Sequence, residues 1–574
     1  MQKCGYCVEG VIFVPKDVDM FNTWSAGRLQ LIVGLCEKMG IKDIFNTHLE
    51  KELGRPSDIP AGIEAEVMIA GICVEEGYRP LYAIQDYYEY KDLEGIFHHP
   101  IKLSQLNDDR FGHFLDKFYL AGCRKIFMEI SSRAFIEYGI AVRNINYDTT
   151  SKVMWGEYEC TSEPDGEISH ISIDFGHSKD KRNDKKQIKI GLGTTNGVIT
   201  DAKVLSGNMD DKTYNKENLE DVDKLLTTMK VDRSDFYYMA DSALFTEENI
   251  TKAEGHDIMF ITRMPDNLKL SKDFLEKPLP GDAQTIVLEN KQGKKVTYRL
   301  IEAQAKYEGH DVKLAVINSE ALKETKTNTC HKNVDKERKK LEQTLKTYSK
   351  RIFKCEADAV KEIELLETKV TPKLKYHKVK LSIAQVEKKR PGRPSKNPQQ
   401  NSAIIEYQLN TEIVLDKVKV EDFIRRECTF ILCSSDILIT GEKMLREYKT
   451  QSDVEKRFQA LKSPKFMNSL FLKTPQRVEA LVYLLLICLM MLTVAERIVR
   501  DELKKSADVV LGTEKRKLKQ PTFNSILHIM DRVRVVTYIS SGKVVREIRN
   551  IDDSSLKIIK FLGLSESCFA WNSG

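Results

Sequence analysis

The hydrophobic pattern of the chain changes period near residue 141, and this change most constrains the fold. From about residue 22 to 140, apolar residues recur at three- and four-residue spacing between Gly, Pro and Asp residues, which predicts helices. After residue 141 the side chains alternate: Asn144, Asn146 and Asp148 fall on one face of a strand and Ile145 and Tyr147 on the other. A helical domain therefore precedes one that is built on strands.

Further strands follow this alternating segment. They are predicted at residues 171–175, 187–195 and 198–205, and Asn196 with Gly197 favours a two-residue type I′ turn between the last two. A strand ending at Asp241 comes next, then a helix with Thr246 as its N-cap and a strand closed by Pro265. Strands that alternate with helices in this way are typical of an α/β core.

Two carboxylates stand at notable places on these strands. Asp148 is in mid-strand, where aspartate is disfavoured, and a solvated edge or turn is the alternative to a functional site. Asp241 ends a strand just before a helix, which is where open α/β sheets place their sites. With Glu455 on a late helix, the order of elements is that of an RNase H-like core whose three acids hold Mg²⁺.

The segment 446–462, REYKTQSDVEKRFQALK, is predicted to be one helix. At about 100° per residue, Tyr448, Gln451, Glu455 and Lys462 share a strip beside an apolar stripe. An ordinary amphipathic helix with a solvated charged face would show the same pattern. The alternative is that Glu455 is a metal ligand and that Tyr448 and Lys462 hold phosphates.

The 214 residues that separate Asp241 from Glu455 predict an inserted domain. It carries short alternating strands and a long charged helical region at about 334–371. Its Pro-rich loop at 388–401 is either a solvated linker or a minor-groove DNA contact. The candidate DNA-binding residues of this loop are Lys388, Lys389, Arg390 and Arg393.

The fold class is therefore predicted to be α/β, with an RNase H-like core interrupted by a mainly β insertion that contains a long helical segment. The predicted parts are an N-terminal helical domain at 1–140 with a candidate DNA-end site, the first half of the core at 141–266, the insertion at 267–427, the second half of the core at 428–500, and a helical and loop tail at 501–574.

Composition narrows the functional classes. A net charge of +5 from 90 basic and 85 acidic residues means that any polyanion must be bound by local basic patches. Scattered cysteines and the absence of an apolar leader favour the cytoplasm, and Cys4 with Cys7 forms half of a zinc motif at most. The uncharged run at 480–495 is too short to span a membrane and predicts a buried core helix.

The spacing of Tyr448, Gln451, Glu455 and Lys462 resembles the Y-(2)-R-(3)-E-(6)-K signature of DDE transposases of the insertion sequence 4 superfamily. Three other segments are similar to its insertion sequence 1634 branch: INYDTTSKVMWGEYE, GHSKDKRNDKKQIKIGLG with SGNMDD, and ADSALF before ITRMP. The similarity runs from about residue 100 to about residue 500.

The resemblance implies a Mg²⁺-dependent DNA endonuclease and strand transferase of prokaryotic, nucleoid-associated origin, with Mn²⁺ as a substitute metal. Its partners would be the terminal inverted repeats of its own element and target DNA, bound by a homodimer in a synaptic complex, with no membrane partner. Asp148, Asp241 and Glu455 would be the catalytic metal ligands. Tyr448, Gln451, Lys462, Arg263 and Arg457 would contact DNA.

Two departures from the family pattern bear on activity. Gln451 stands where the signature has Arg, so Arg446, Lys449 or Arg457 would supply the missing charge. Some relatives stack a flipped base on a Trp of the inserted domain, which holds none here; Tyr298, Tyr307 or Tyr348 would then serve. A catalytically impaired DNA-binding relative and a host RNase H-like nuclease remain alternatives, and inverted repeats flanking the gene would separate the nuclease from an element-encoded protein.

Overall fold

The computed structural model describes residues 6–8, 11–13, 18–49, 58–74, 80–156, 158, 170–289, 293–388, 403–464, 466–467, 470, 472–540 and 543–569 of the 574. The protein is a mixed α/β chain that divides into two compact units. The first unit comprises Met1–Thr262 with Glu447–Gly574, and the second comprises Arg263–Arg446.

The N-terminal part of the first unit is mostly helical within the described residues, as its three- and four-residue spacing predicts. Three short strands come before its helices: β1 (Tyr6–Val8), β2 (Val11–Phe13) and β3 (Val18–Ser25). The helices are α1 (Gly27–Lys38), α2 (Ile41–Leu49), α3 (Ala61–Val74), α4 (Ile84–Tyr88), α5 (Leu93–Phe97), α6 (Asp108–Leu120) and α7 (Cys123–Glu137). The central helix α3 is buried along almost its whole length, so it forms the core of this part.

Five strands of a mixed sheet form the centre of the first unit. Its elements along the chain are β4 (Asn144–Val153), β5 (Gln187–Thr195), β6 (Val198–Leu205), α8 (Asp211–Thr228), β7 (Tyr237–Ala240), α9 (Glu247–Gly255) and β8 (Met259–Arg263). The spatial order is β6-β5-β4-β7-β8, in which β4, β5 and β6 are antiparallel and β7 and β8 run parallel to β4. Every residue of β5 is buried, as expected for an inner strand covered on both faces.

The turn between β5 and β6 confirms the hairpin predicted from the Asn-Gly pair. Asn196 has φ +51° and Gly197 has φ +78°, the two positive values that a type I′ turn requires. The strand predicted at 171–175 is wrong, because this segment pairs only through an isolated bridge between Asp174 and Gln187. Ser172 accepts a hydrogen bond from the Gly207 N–H, so the backbone bonds of this segment are divided between two partners and no ladder forms.

The second unit contains two antiparallel sheets and several helices. Its elements are α10 (Lys269–Leu275), β9 (Gln284–Glu289), β10 (Lys295–Tyr307), β11 (His310–Ser319), α11 (Glu320–Ser349), β12 (Ile352–Phe353), α12 (Glu356–Lys369), β13 (His377–Lys388), β14 (Ile404–Leu415), α13 (Lys417–Glu427), β15 (Thr429–Ser434) and α14 (Gly441–Tyr448), whose last two residues belong to the first unit. One sheet has the order β15-β11-β10-β9 and the other β12-β14-β13. The charged helical region starts at Glu320 and is interrupted after Ser349, so it is longer than predicted and divided in two.

The first unit resumes with helices and two small sheets. Its elements are α15 (Ser452–Leu461), α16 (Pro475–Lys505), β16 (Val510–Leu511), β17 (Lys517–Leu518), α17 (Phe523–Met530), β18 (Arg534–Ser540), β19 (Lys543–Arg549) and α18 (Asp553–Phe561). In α16, residues 480–495 are all buried against the protein, which confirms a core helix. Within the described residues this is the one helix long and apolar enough to cross a membrane, and 94% of its most apolar window is buried.

The tail after residue 500 differs from the predicted helices and loops. Strands β19, β18 and β3 form a three-stranded sheet, in which β18 pairs antiparallel with β3 from the start of the described chain. The alternation in β18 is weak, since most of its side chains are half-buried, and the sequence pattern therefore gave no clear strand signal.

Candidate catalytic site

Asp148 lies on β4, and Asp241 directly follows the neighbouring strand β7. In the parallel pair β4 and β7, Asn146 is opposite Met239, and each aspartate comes two residues later in the chain. Because parallel strands lie about 4.8 Å apart and side chains two residues on share a face, the carboxyl groups meet at the same edge of the sheet. The two acids that the sequence singled out are thus brought together.

Aromatic packing on the opposite face holds these two strands in place. Tyr147 stacks on Tyr238 with ring centroids 4.6 Å apart, and its hydroxyl donates to the Asp201 carboxylate at 3.1 Å. Both rings are fully buried. The residue before Asp148 therefore anchors β4 and leaves the aspartate on the other, half-exposed face.

Burial and neighbouring negative charges disfavour the ionised form of the Asp241 carboxyl group. Burial raises the pKa of its carboxyl group, and the negative charges of Asp148 and Asp211 raise it further. A hydrogen bond of 3.0 Å from the Ala243 N–H and the nearby Lys179 ammonium lower the pKa, without cancelling the rise. Three carboxylates thus lie close enough to feel each other's charge.

A lysine ammonium sits among these carboxylates. The Nζ atom of Lys179 lies 2.9 Å from Asp148 Oδ1 and 4.0 Å from Asp211 Oδ2, and it donates to the Thr149 carbonyl at 2.6 Å. Asp211 also accepts from the Thr149 hydroxyl at 2.7 Å. This edge of the sheet therefore attracts a cation.

Sequence reasoning missed both Asp211 and Lys179 as members of this site. Asp211 is the first residue of α8, in the SGNMDD segment, and its position after a strand was a usable signal. Lys179 belongs to the basic loop HSKDKRNDKK, where composition alone gives no single residue a role.

Glu455 lies on a helix that packs against β4 and β5, and its side chain is exposed. Val454, Phe458 and Leu461 are buried, which confirms the predicted apolar stripe. The prediction of one continuous helix from 446 to 462 is wrong. Tyr448 ends α14, a 3₁₀ turn at Lys449–Gln451 follows, and α15 begins at Ser452.

Side chains of β4 account for this break. The Asn146 amide donates to the Thr450 hydroxyl at 2.9 Å, and that hydroxyl donates to the Glu447 carbonyl at 2.7 Å. Asn144 donates to the Glu447 carboxylate. A 3₁₀ turn has about three residues per turn, so the side chains before and after it no longer share the strip that a uniform helix would give.

Lys462 directly follows α15 and forms an ion pair of 2.7 Å with Asp180. A second cation lies near it on β4: burial lowers the pKa of Lys152, Asp180 raises it, and the Lys462 charge lowers it again. The Lys152 ammonium donates to the Met467 carbonyl at 2.8 Å. Sequence reasoning missed Lys152, which shares the strand of Asp148.

The remaining predicted DNA contacts have varied surroundings. Arg457 donates to the Gly197 carbonyl at 2.6 Å and pairs with the buried Glu496 at 3.1 Å. Arg263 pairs with Asp266 at 2.8 Å, and Lys388 with Glu406 at 3.2 Å. Lys389, Arg390 and Arg393 lie outside the described residues, as does Cys4. The roles of all these residues stay predictions.

The tyrosines suggested for base stacking differ in exposure. Tyr298 is buried, with 4% of its surface exposed. Tyr348 packs against the small apolar core of the second unit and carries the Arg351 guanidinium over its ring at 4.8 Å. Tyr307 is half-buried. Each therefore already has protein surface against at least part of its ring.

The donor set suits a hard cation without forming a closed cage. Throughout the described parts of the chain, no group of three or more His, Cys, Asp or Glu side chains is close enough to hold a metal ion. Asp148 and Asp241 nevertheless offer only oxygen donors, which Mg²⁺ prefers. One cation, the Lys179 ammonium, already interacts electrostatically with both carboxyl groups. These residues fit a divalent cation that replaces the ammonium.

Comparison with known proteins gives the following matches. The model of the transposase DDE domain matches residues 165–491, a range that includes Asp241 and Glu455 and begins after Asp148, and a domain of unknown function matches residues 22–132. No curated protein matches the chain.

Among solved structures, the chain is similar to the piggyBac transposase synaptic complex with hairpin DNA, at 8% identity over 90% of this chain and 82% of that one, with a TM-score of 0.35. It is also similar to the Mos1 transposase paired-end complex with the left transposon end, at 10% identity over 40% of this chain and 76% of that one, with a TM-score of 0.14. The sequence match to the DDE domain spans more than half of the residues, and the chain belongs to the family of transposases with a DDE domain.

Proposed function

We propose that this protein is a DDE transposase of the insertion sequence 4 superfamily, in its 1634 branch. It binds the terminal inverted repeats of its own element, cleaves the DNA at their ends and joins these ends to target DNA. The observation that carries the proposal is the pair of carboxylates Asp148, on β4, and Asp241, directly after the adjacent parallel strand β7, with Glu455 on a helix that packs against β4. In an RNase H-like core that acts on DNA, these three acids would together bind the catalytic metal ions.

Asp148, Asp241 and Glu455 would hold Mg²⁺, or Mn²⁺ in its place. Divalent cations bound there would activate the attacking hydroxyl and stabilise the leaving oxygen in phosphoryl transfer. Asp241 contributes a carboxyl group whose raised pKa favours its binding a cation strongly once deprotonated. Asp211 lies in the same field and would add to the attraction for a cation.

Lysines around the acids would bind the DNA backbone. The Lys179 ammonium lies between Asp148 and Asp211, where a divalent cation would bind. If the cation displaces it, this ammonium would be free to contact the scissile phosphate. Lys462, which pairs with Asp180, and Lys152 near it would neutralise phosphates further along the DNA strand. Tyr448, which ends α14, and Gln451, the last residue of the 3₁₀ turn, would contact the transposon end, as would Arg263 and Lys388 on the second unit.

Arg457 has a different environment from these cations. Its guanidinium is half-buried between the Gly197 carbonyl and Glu496, and it holds α15 against the hairpin that joins β5 and β6. A DNA contact would require it to leave both partners. Arg446 or Lys449 is the better placed source of the positive charge that Gln451 lacks, because each stands outside that buried network.

Each predicted part of the chain has a role in the proposed function. The helical region up to residue 140 would recognise the transposon end, and residues 141–266 with 428–500 would form the core. The insertion at 267–427, including its basic loop, would contact flanking DNA. Two copies would act together on paired ends in the cytoplasm, on nucleoid DNA.

A cleavage assay on the DNA that flanks the gene tests this function. The full-length protein, with Mg²⁺ or Mn²⁺, is expected to nick DNA at the element ends and to join them to a target plasmid. Asp148→Ala, Asp241→Ala and Glu455→Ala should each reduce nicking to background and leave end binding intact, since the carboxylates face the reaction and not the duplex.

Glu248→Gln is the matched control, because this carboxylate is exposed on α9 and pairs with the surface residue Lys216. It should nick at the wild-type rate. Nicking that survives one of the three alanine changes would remove that residue from the site. A wild-type protein that binds the ends without nicking them would favour the regulatory alternative.

A further inference from the structure

An exposed aromatic cleft lies just beyond the end of β4. Trp155, two residues after the strand, is 56% exposed, and Phe175 is 51% exposed. Together with Met154 and Tyr158 they line a cleft of about 410 Å³. Single exposed apolar side chains are common on protein surfaces, but two large aromatic rings lining one cleft form a local apolar patch that suits a ligand with a flat apolar face.

Positive charge surrounds this cleft. The Arg182 guanidinium lies 5.5 Å and the Lys185 ammonium 5.3 Å from the centroid of the Trp155 ring. Both belong to the loop at 179–186, which has five basic residues against two acidic ones. Arg182 also pairs with the exposed Asp184, a contact that salt and water screen strongly.

The exposed indole and the basic side chains beside it indicate which class of ligand the cleft binds. An indole offers a flat face to a nucleobase, and adjacent Arg and Lys side chains offer charge to the phosphates on either side of that base. A base pair inside a duplex exposes only its edges, so it cannot stack on the ring. The ligand must therefore carry an unpaired base.

We propose that the cleft at Trp155 binds one unpaired nucleobase of DNA, with Arg182 and Lys185 on its flanking phosphates. This inference rests on the proposed function. The cleft is distinct from the carboxylate site, because Asp148 and Val153 are five residues apart on one strand, or roughly 17 Å at about 3.3 Å per residue.

Binding measurements with simple DNA probes test the proposal. Full-length wild-type, Trp155→Ala and Trp155→Phe proteins are titrated with oligothymidylate as a single strand, and with the fully paired duplex of the same length at the same salt concentration. We expect Trp155→Ala to weaken single-strand binding by about 5- to 150-fold and to leave duplex binding unchanged. Trp155→Phe keeps a ring and should retain most of the affinity.

Tyr90→Ala is the matched control, since Tyr90 is 80% exposed in the same unit and lies far from the basic loop in sequence. It should bind both probes like the wild type. Replacing Lys185 by Gln should reduce the slope of log affinity against log salt by about 0.7 for the single strand, the loss of one phosphate contact.

Fluorescence assigns the contact to the indole itself. Trp24 is buried and Trp571 is replaced by Phe in both proteins, so quenching of tryptophan emission by the single strand should disappear when Trp155→Phe is added. Equal single-strand affinity for wild type and Trp155→Ala, or no single-strand binding by the wild type, would overturn the proposal. Cleavage of the element ends by the same preparations reports on the proposed function separately, so that either one can fail alone.

Discussion

Burial sets the protonation state of individual carboxyl groups in this protein, and Glu66 in α3 is the clearest case. Only 1% of its surface is exposed, and among the described residues its Oε1 atom has no hydrogen-bond partner. Burial raises its pKa to about 8, the Lys42 charge lowers it, and Glu37 and Asp43 raise it. Glu66 is therefore a neutral acid at pH 7.

Glu66 makes the stability of the N-terminal helices depend on pH. Its folded-state pKa lies above its unfolded value, so the contribution of the neutral acid is complete below the unfolded pKa and is lost as pH rises through about 8. Glu66→Gln removes this titration. The variant should gain stability relative to the wild type by on the order of 1–3 kcal/mol between about pH 5 and about pH 9.

Urea unfolding of both proteins at the two pH values measures this difference. Glu89→Gln is the matched control, because Glu89 is exposed at the end of α4 and should show no such change. A difference between wild type and Glu66→Gln that stays constant with pH would mean that Glu66 is charged in the folded protein.

At the scale of elements, the position of α15 depends on a buried charge network. Arg457 and Glu496 are 13% and 6% exposed, Arg500 also reaches Glu496 at 2.8 Å, and Glu496 accepts the Phe523 N–H at 3.0 Å. Removing Arg457 leaves the buried Glu496 carboxylate with one cation, Arg500, in place of two. The helix that carries Glu455 is thereby tied to α16 and α17.

Arg457→Met should therefore lower the free energy of unfolding by about 3 kcal/mol. Arg446→Met is its matched control: Arg446 is exposed and pairs with Glu442 one turn away, which is worth at most about 0.5 kcal/mol. Denaturant unfolding measures both. If Arg457→Met keeps its stability and loses only DNA binding, then Arg457 is a DNA contact that supplies the charge Gln451 lacks.

Elements were predictable where local chemistry decides their structure. The β5–β6 hairpin follows from Asn196 and Gly197, because few other residue pairs accept two positive φ angles. The break between α14 and α15 was not predictable, because it depends on Asn146 contacting Thr450, more than 300 residues away in sequence. Lys179 could not be predicted as a member of the site for the same reason: this loop lysine contacts β4 and α8 only in the folded chain.

At the scale of the whole molecule, the two ends of the described chain form one sheet. Strand β3 pairs with β18, and Arg546 of β19 donates to Asp92 through its Nε atom at 2.6 Å and through a terminal nitrogen at 3.0 Å. Period and composition could reveal the separate helices of the first part. They could not reveal this closure, because β3 has its partner β18 at the opposite end of the sequence and the pattern of either strand alone is weak.

The Arg546–Asp92 pair makes this closure sensitive to acid. Their side chains are 3% and 15% exposed. Burial raises the pKa of Asp92, but hydrogen bonds from Arg546 and the Gly95 N–H outweigh it and hold the pKa below its ordinary value. A lowered carboxyl pKa gives stability that is present above the unfolded pKa and is lost as pH falls through the folded value.

Arg546→Ala should therefore destabilise the first unit by about 3–5 kcal/mol at neutral pH, since Asp92 is left buried without its cation. The loss should shrink in acid, where Asp92 becomes protonated and no longer needs a partner. Arg549→Ala removes an exposed arginine of the same strand and should change stability by less than about 1 kcal/mol at any pH. Thermal unfolding across the acid range separates the two variants. Equal effects of both, or a loss for Arg546→Ala that does not change with pH, would show that packing of the arginine stem, and not its charge, joins the two ends of the chain.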